Sequence, residues 1–380
     1  MIEVAILGAG SIGNHLSFSC RKIGWNVSVF DVSLNALERM KSEIFPQRYG
    51  VWDSSINLLT LEDFGKFSKG NFDVCLVGTP PDTHLELLRM LANASPSVIM
   101  VEKPVVPPSI NEILGTSELI RSHSKIEFLV GYNHRVSLVI RELVRTWKSL
   151  GFKTISRLDV NWLESWDGIM KAHPWLATPK DSYLGYTSRG GGAIFEHSHG
   201  IDLWLWLSRV FGLGESEIVE ASGKLVGDSK GESYYDENVQ ILVKNNSSLV
   251  GSIRQDVSTS PADKSILVED DTYEYRCQFH VEGTSDIFTV TEKQSRRVIK
   301  KVKVEKTRSV DFDEEIYEIQ NVLINISEAR KEISPLDASF GLQTAMLGTV
   351  ALNSILLQKP LDLDFGSLPV PSISSTMWAS

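Results

Sequence analysis

Four apolar residues, Val4 to Leu7, run directly into GAGSIG, which places Gly8, Gly10 and Gly13 in G-x-G-x-x-G spacing. No other stretch restricts the fold as strongly. A short uninterrupted apolar run reads as a parallel strand buried on both faces, and helical periodicity resumes at Ile12, Leu16 and Ile23 until Gly24 stops it. A second strand, Val27 to Phe30, ends on Asp31. In such a strand-turn-helix-strand unit, Gly8 allows the tight turn and Gly10 lets the backbone approach a pyrophosphate. Gly13 lets helix and strand pack closely, and the helix N-terminus offers amide donors to the anion.

Asp31 follows Gly13 by 18 residues, where a carboxylate accepts hydrogen bonds from a ribose diol and repels a 2'-phosphate. No arginine follows it in DVSLNA, so NAD is expected and NADP disfavoured. The β-α alternation continues through strands at 72–79, 97–104 and 126–133, with helical stretches HLELLRMLANA and SINEILGTSELIRSH between them. The less regular segment from Phe45 to Gly70 is expected to hold an extra strand and a short helix. This pattern predicts a doubly wound α/β domain over 1–128. Three strand ends carry polar clusters, GTPPDTH, EKP and GYNHR, and ligands bind outside the carboxyl ends of such strands. Ser11, Ile12, Thr79, Pro80, His84, Glu102 and Lys103 therefore join the three glycines and Asp31 as the expected cofactor-binding set.

After the alternation ends, several period-two segments and helices expected at 314–331 and 341–358 predict an α+β domain over 129–380 on an antiparallel or mixed sheet, and its C-terminal segment is expected to pack back on the first domain. A net charge of -10 excludes a general nucleic-acid binder. Cys20, Cys75 and Cys277 lack metal-site spacing and read as reduced core thiols. No basic leader precedes Ile2, and the apolar segment from Leu342 to Leu357 is interrupted by polar residues, so a cytoplasmic protein without a membrane span is expected.

The stretch GGGAIFEHSHGID, beginning at Gly190, is the richest in chemistry. A glycine triplet gives the chain positive-φ freedom or close approach to a ligand. Glu196, His199 and Asp202 then follow at intervals of three, which on a helix is one slanting stripe. His197 competes with His199 for the pocket-facing position. No metal site is expected, because no cysteine or further His/Asp pair accompanies these histidines. Trp162, Trp166, Trp175, Tyr183 and Tyr186 are expected in loop-like chain, where aromatic rings pack against the C-H faces of sugars.

GAGSIG, GTPPDTH, EKPV, GYNHR and GGGAIFEHSHGID, in this order over residues 2–206, resemble the glucose-fructose oxidoreductase, inositol dehydrogenase and rhizopine catabolism (Gfo/Idh/MocA) family. The resemblance implies a Rossmann domain, a second domain whose open sheet bears substrate and a homodimer or homotetramer interface, and an NAD(P)-dependent oxidoreductase of sugars or cyclitols. It places the family's lysine on Lys103, its pocket histidine on His199 and the following acid on Asp202. Many members carry an aspartate four residues before the histidine. Phe195 stands there in this chain, and Glu196 follows it. On this reading Lys103 and His199 share acid-base work, Asp202 and Glu196 assist, and Asn133, Arg135 and Trp162 contact substrate. The alternatives are a sugar-nucleotide 3-dehydrogenase or ketosugar reductase and, from another class, an NAD-sensing protein without turnover.

Overall fold

The computed structural model describes residues 1–64, 71–173, 175–214, 216–227, 234–245 and 249–357. The last residue of the helix expected to reach Gln358, and everything after it, lies outside these. The chain divides into two units. One contains Met1–Val106, Asn111–Asn133 and Arg308–Ala338; the other contains Pro107–Ile110, His134–Thr307 and the chain from Ser339. The first thus runs slightly past the boundary expected at 128 and takes in a late stretch of chain.

The first unit holds six parallel strands, β1 (Glu3–Leu7), β2 (Asn26–Asp31), β3 (Asn57–Thr60), β4 (Val74–Val77), β5 (Val98–Val101) and β6 (Glu127–Val130), in the order β3-β2-β1-β4-β5-β6. Parallel strands are covered on both faces, and Val4 to Leu7 are accordingly all buried. The register lines up Val29, Ile6, Leu76, Met100 and Leu129 across five strands as one buried row. Helices α1 (Ser11–Lys22), α2 (Leu34–Arg39), α3 (Phe45–Tyr49), α4 (Leu61–Phe64), α5 (His84–Ala94) and α6 (Ile110–Ser122) supply the crossovers. The irregular segment after Phe45 contains β3, the outermost strand, paired with β2.

The second unit is an eight-stranded sheet in the order β14-β13-β12-β11-β7-β10-β9-β8. Its strands are β7 (Arg157–Leu163), β8 (Ser216–Gly227), β9 (Tyr234–Asn245), β10 (Val250–Asp256), β11 (Asp263–Glu269), β12 (Tyr273–Val281), β13 (Ser285–Glu292) and β14 (Arg297–Glu305). Only the β7–β10 pair is parallel. Ile241, Val160, Ile253, Ile266, Cys277 and Phe288 align across six strands and are almost wholly buried. Helices α7 (Leu138–Ser149), α8 (Asp167–Ala172), α9 (Gly192–Phe195) and α10 (His199–Val210) belong to this unit. The α10 helix lies on β7 and β10, with the Trp204 indole N–H donating to Leu158 O at 3.0 Å.

The last two helices separate. The α11 helix (Arg308–Ser327) packs on α1 in the first unit: Asp313 accepts from Ser19 Oγ and Lys22 Nζ, each at 2.7 Å, and Phe312 stacks on His15. The α12 helix (Ala338–Leu357) is longer than the sequence reading allowed and is apolar enough to cross a bilayer by length and composition. Its most apolar window is 78% buried in the protein, as in a core helix.

Glycine turns test this packing. A Cβ on Gly13 would stand 1.9 Å from Gly8 O, whereas one on Gly10 meets nothing within 4 Å. In urea unfolding followed by circular dichroism, Gly13→Ala is expected to lose about 3 kcal/mol or more. Gly10→Ala is expected to change stability by no more than about 1 kcal/mol.

Candidate active site

The carboxyl ends of the first unit's strands form a surface suited to a dinucleotide. Gly8, at φ 105°, turns the chain out of β1, and its N–H donates to Phe30 O at 2.8 Å. Asp31 is fixed beside this turn: its Oδ2 accepts from the Ala9 N–H and its Oδ1 from the Ser33 N–H, both at 2.8 Å. Each carboxylate oxygen keeps a lone pair for another donor, as a ribose diol requires. Ser11 and Ile12 open α1, whose first turn carries no acid and whose N-terminal amides favour an anion. The empty space over Gly10 leaves this backbone approachable. These residues fit NAD.

Thr79 and Pro80 follow β4, where the Thr79 hydroxyl bonds that of Thr83 at 2.7 Å. His84 corrects an expectation. It is buried, with Nε2 2.9 Å from Thr79 O and Nδ1 3.1 and 3.2 Å from Pro104 O and Val105 O. Its ring therefore ties the β4 end to the turn after β5, and burial holds its pKa below the usual histidine value. Glu102 and Lys103 follow β5 directly. Asn133, after β6, is buried, and its Oδ1 has no hydrogen-bond partner among the described residues.

In the second unit, Val239, Gln255, Trp162, Lys264 and Phe279 align across β9, β10, β7, β11 and β12, two residues along from the apolar row and so on the same face. His134 and His199 lie against this rung: the His134 ring is 4.7 Å from those of Trp162 and His199, and His199 is 5.1 Å from Trp162. The Lys264 ammonium stands 5.4 Å over Trp162 and pairs with Glu164 at 2.5 Å. Trp162 is thus a buried strand residue covered by His134, Phe279 and Lys264, which corrects its expected place as a loop ring for sugar stacking. Trp166 is also buried and turns its indole N–H toward Glu196 at 3.4 Å, while Trp175 is 36% exposed.

The expected Glu196, His199, Asp202 stripe is broken. Glu196 caps α9, and α10 starts only at His199. Glu196 Oε2 lies 2.8 Å from His197 Nε2, and His197 Nδ1 lies 2.6 Å from Asp256 O, which clamps His197 rather than His199. Asp202 and Arg135, both expected at substrate, form a buried ion pair at 1% exposure each. Arg135 Nε donates to Asp202 Oδ2 at 2.8 Å, Thr344 Oγ1 donates to Oδ1 at 3.1 Å, and the guanidinium lies over Trp206 and Phe340. Their geometry joins the turn containing Arg135 to α10. His199, 8% exposed, heads that helix.

Two buried residues that sequence reasoning missed hold the glycine-rich segment. Gln255 Nε2 donates to Ala193 O at 2.6 Å, and its Oε1 accepts from the Ile201 N–H at 2.9 Å, bridging α9 and α10. Asp236 accepts from the Ile194 N–H at 2.6 Å and from Thr187 Oγ1 at 3.1 Å. Gly191, Gly192 and Gly200 are needed for these approaches: a Cβ would come within 2.2 Å of Leu184 O, 2.1 Å of Asp236 Oδ1 and 2.9 Å of Gln255 Oε1, respectively. The available signal was a polar residue at a core-facing strand position. Among the described residues, no cluster of three or more His, Cys, Asp or Glu could hold a metal.

Residues 2–132 match the family model described as the oxidoreductase family, NAD-binding Rossmann fold, of the Gfo/Idh/MocA group. A comparison with curated proteins finds no match. The chain is similar to levoglucosan dehydrogenase in complex with NADH and levoglucosan, at 16% identity and a TM-score of 0.73, covering 96% of this chain and 99% of that one. It is also similar to the WlbA dehydrogenase from Bordetella pertussis in complex with NADH and UDP-GlcNAcA, at 18% identity, TM-score 0.69 and coverages of 96% and 98%. Scyllo-inositol dehydrogenase from Lactobacillus casei, with NAD(H) and scyllo-inositol, gives 15% identity, TM-score 0.68 and coverages of 95% and 99%. These likenesses establish the fold, a Rossmann-like parallel sheet with a mixed eight-stranded sheet, and the N-terminal match establishes an NAD-binding region.

Burial pushes the Asp236 carboxyl up to about 7 despite its hydrogen bonds. A carboxyl that binds its proton more tightly when folded adds stability below the unfolded value near 4, and this contribution is lost as pH rises through 7. Asp236→Asn, with an amide oxygen still able to accept from Ile194, is expected to flatten the fall in stability between about pH 4 and pH 7. Urea midpoints measured across that window check this, and an unchanged slope would contradict it.

Proposed function

Starting from an NAD-binding oxidoreductase domain joined to this second sheet, we propose that the protein is an NAD-dependent dehydrogenase or reductase acting on a secondary alcohol or ketone of a sugar, sugar derivative or cyclitol. The observation that supports this most is the seating of His199 at the head of α10 against the Trp162–Lys264 rung. Held by the Gly8–Gly13 turn, the α1 N-terminus and Asp31, NAD would supply the hydride acceptor for the carbinol carbon. As that carbon–hydrogen bond breaks, the hydroxyl proton must pass to a base with a pKa near the working pH. Lys103 and His199 are assigned this transfer, running in reverse for ketone reduction, where they return the proton to the new alkoxide. Lys264 and Glu164 provide a charged donor and acceptor beside His199's neighbour Trp162, suited to the paired hydroxyls of a polyol. The relatives named above bind levoglucosan, scyllo-inositol and UDP-GlcNAcA, so nucleotide sugars belong among the candidates.

The test is NADH formation, with NAD and NADP in parallel, over free sugars, inositols, sugar acids and nucleotide sugars. Lys103→Met and His199→Asn are each expected to lower kcat by about 100-fold or more while NADH affinity is retained. Near-normal turnover in either variant overturns that residue's role. Silence across the panel with NADH bound favours the sensing alternative. We also propose a homodimer or homotetramer, because Val298 and Ile299 on edge strand β14 are exposed apolar residues. Sedimentation should show such a species, and a monomer alone would remove the proposal.

A further inference from the structure

Arg48, in the last turn of α3, is a cation that the sequence reading did not single out. The carbonyl end of α3 is a favourable place for a positive charge, but the side chain reaches instead to the first turn of α1. There Nη1 donates to Ser11 O at 3.0 Å and lies 3.2 Å from His15 Nε2. A guanidinium only donates, so Nε2 is the accepting nitrogen of His15, and Nδ1 carries the proton that it gives to the Tyr49 hydroxyl. Both rings are held in turn: His15 stacks on Phe312 with centroids 4.5 Å apart, and Tyr49 stacks on Phe18 at 3.8 Å. One nitrogen of the guanidinium is thereby fixed against α1.

The first turn of α1 is a poor place for an unanswered cation. Its amide N–H groups already give it a partial positive charge, it contains no acid, and its N-cap, Gly10, has no side chain to accept from them. Arg308, whose guanidinium lies 5.1 Å over the same Phe312 ring that stacks on His15, is answered by Asp311 at 3.1 Å. Arg48 has no carboxylate partner among the described residues, and its Nε and Nη2 donors remain for a further acceptor. We propose that Arg48 is a cofactor-anchoring residue: seated by Ser11 and His15, its guanidinium supplies the positive charge that neutralises the NAD diphosphate at the α1 N-terminus. The glycine turn offers backbone approach and partial charges; Arg48 adds a full charge, in a planar fork suited to phosphate oxygens. This role concerns cofactor binding alone, so it stands or falls independently of the substrate and of the work assigned to Lys103 and His199.

Calorimetric titration of the full chain with NADH and with ADP-ribose, at several salt concentrations, compares the wild type with Arg48→Gln. Affinity for both ligands is expected to fall by about tenfold or more, to a similar extent because both carry the diphosphate. The weakening of binding with added salt is expected to become shallower, since one cation has been removed from the site. Adenosine, which has no phosphate, is expected to bind the two proteins alike in ligand-observed NMR. If Arg48 only tied α3 to α1, adenosine would lose affinity with the other ligands and the salt dependence would not change. Unchanged NADH affinity, an unchanged salt dependence, or an equal loss for adenosine overturns the proposal. Should Arg48→Gln fail to fold, the wild type provides a second reading through modification by the arginine reagent phenylglyoxal, followed by peptide mass spectrometry. NADH and ADP-ribose are expected to slow modification of Arg48 several-fold while adenosine does not, with the exposed Arg145 on α7 as the reference. An Arg48 rate that ADP-ribose leaves unchanged, or that adenosine slows equally, overturns it.

Discussion

The peptide groups between α9 and α10 are buried, and a buried N–H or C=O without a partner costs about 1–3 kcal/mol. That requirement governs the second unit. Local turns meet part of the need where α9 stops at Phe195 and α10 starts at His199, the Glu196 N–H donating to Gly192 O and the Ser198 N–H to Phe195 O, while Ala193 O and the Ile201 N–H take a side chain from the sheet. The Gln255 amide meets the need from the sheet, donating to one helix and accepting from the other. Because Gln255 occupies the same rung as Trp162 and Lys264, one side chain ties α9 and α10 to the row against which His199 packs. The glycines follow from the same closeness, since a Cβ at position 192 or 200 would collide with Asp236 or Gln255.

The first unit solves a different problem. Its parallel sheet needs cover on both faces, and part of that cover comes from α11, which lies far along the chain from the strands it protects. The return brings Asp313 to Ser19 and Lys22 and Phe312 to His15, a polar and aromatic seam along α1. It also places Glu315 in the core, fully buried.

Much of the first unit was legible because its signals are local. Val4 to Leu7, the three glycines and Asp31 each answer to a neighbour a few residues away or to a repeated strand-helix alternation, and Asp31 indeed sits against the Ala9 amide. The same logic failed for His84, Arg135 and Trp162. Each is a polar or aromatic residue in a promising motif, and each is packed: His84 among three carbonyls, Arg135 on Asp202 and Trp162 beneath His134 and Lys264. A motif names the residue type but not which way the side chain turns. His197 and His199, two residues apart, could not be distinguished until Asp256 and Glu196 were seen to clamp the first.

By itself the sequence determined the Rossmann alternation, the preference for NAD and the strand-rich second half, because period, glycine spacing and terminal acids act over a turn of helix or a pair of strands. Only the tertiary structure decided that Gln255 and Asp236 hold the glycine-rich segment, that Asp202 belongs to Arg135, and that α11 returns to α1. These partners lie tens to hundreds of residues apart. Nothing in local periodicity encodes such a meeting: it arises when sheet register and helix docking bring buried polar groups together, and each must then be satisfied where it lies.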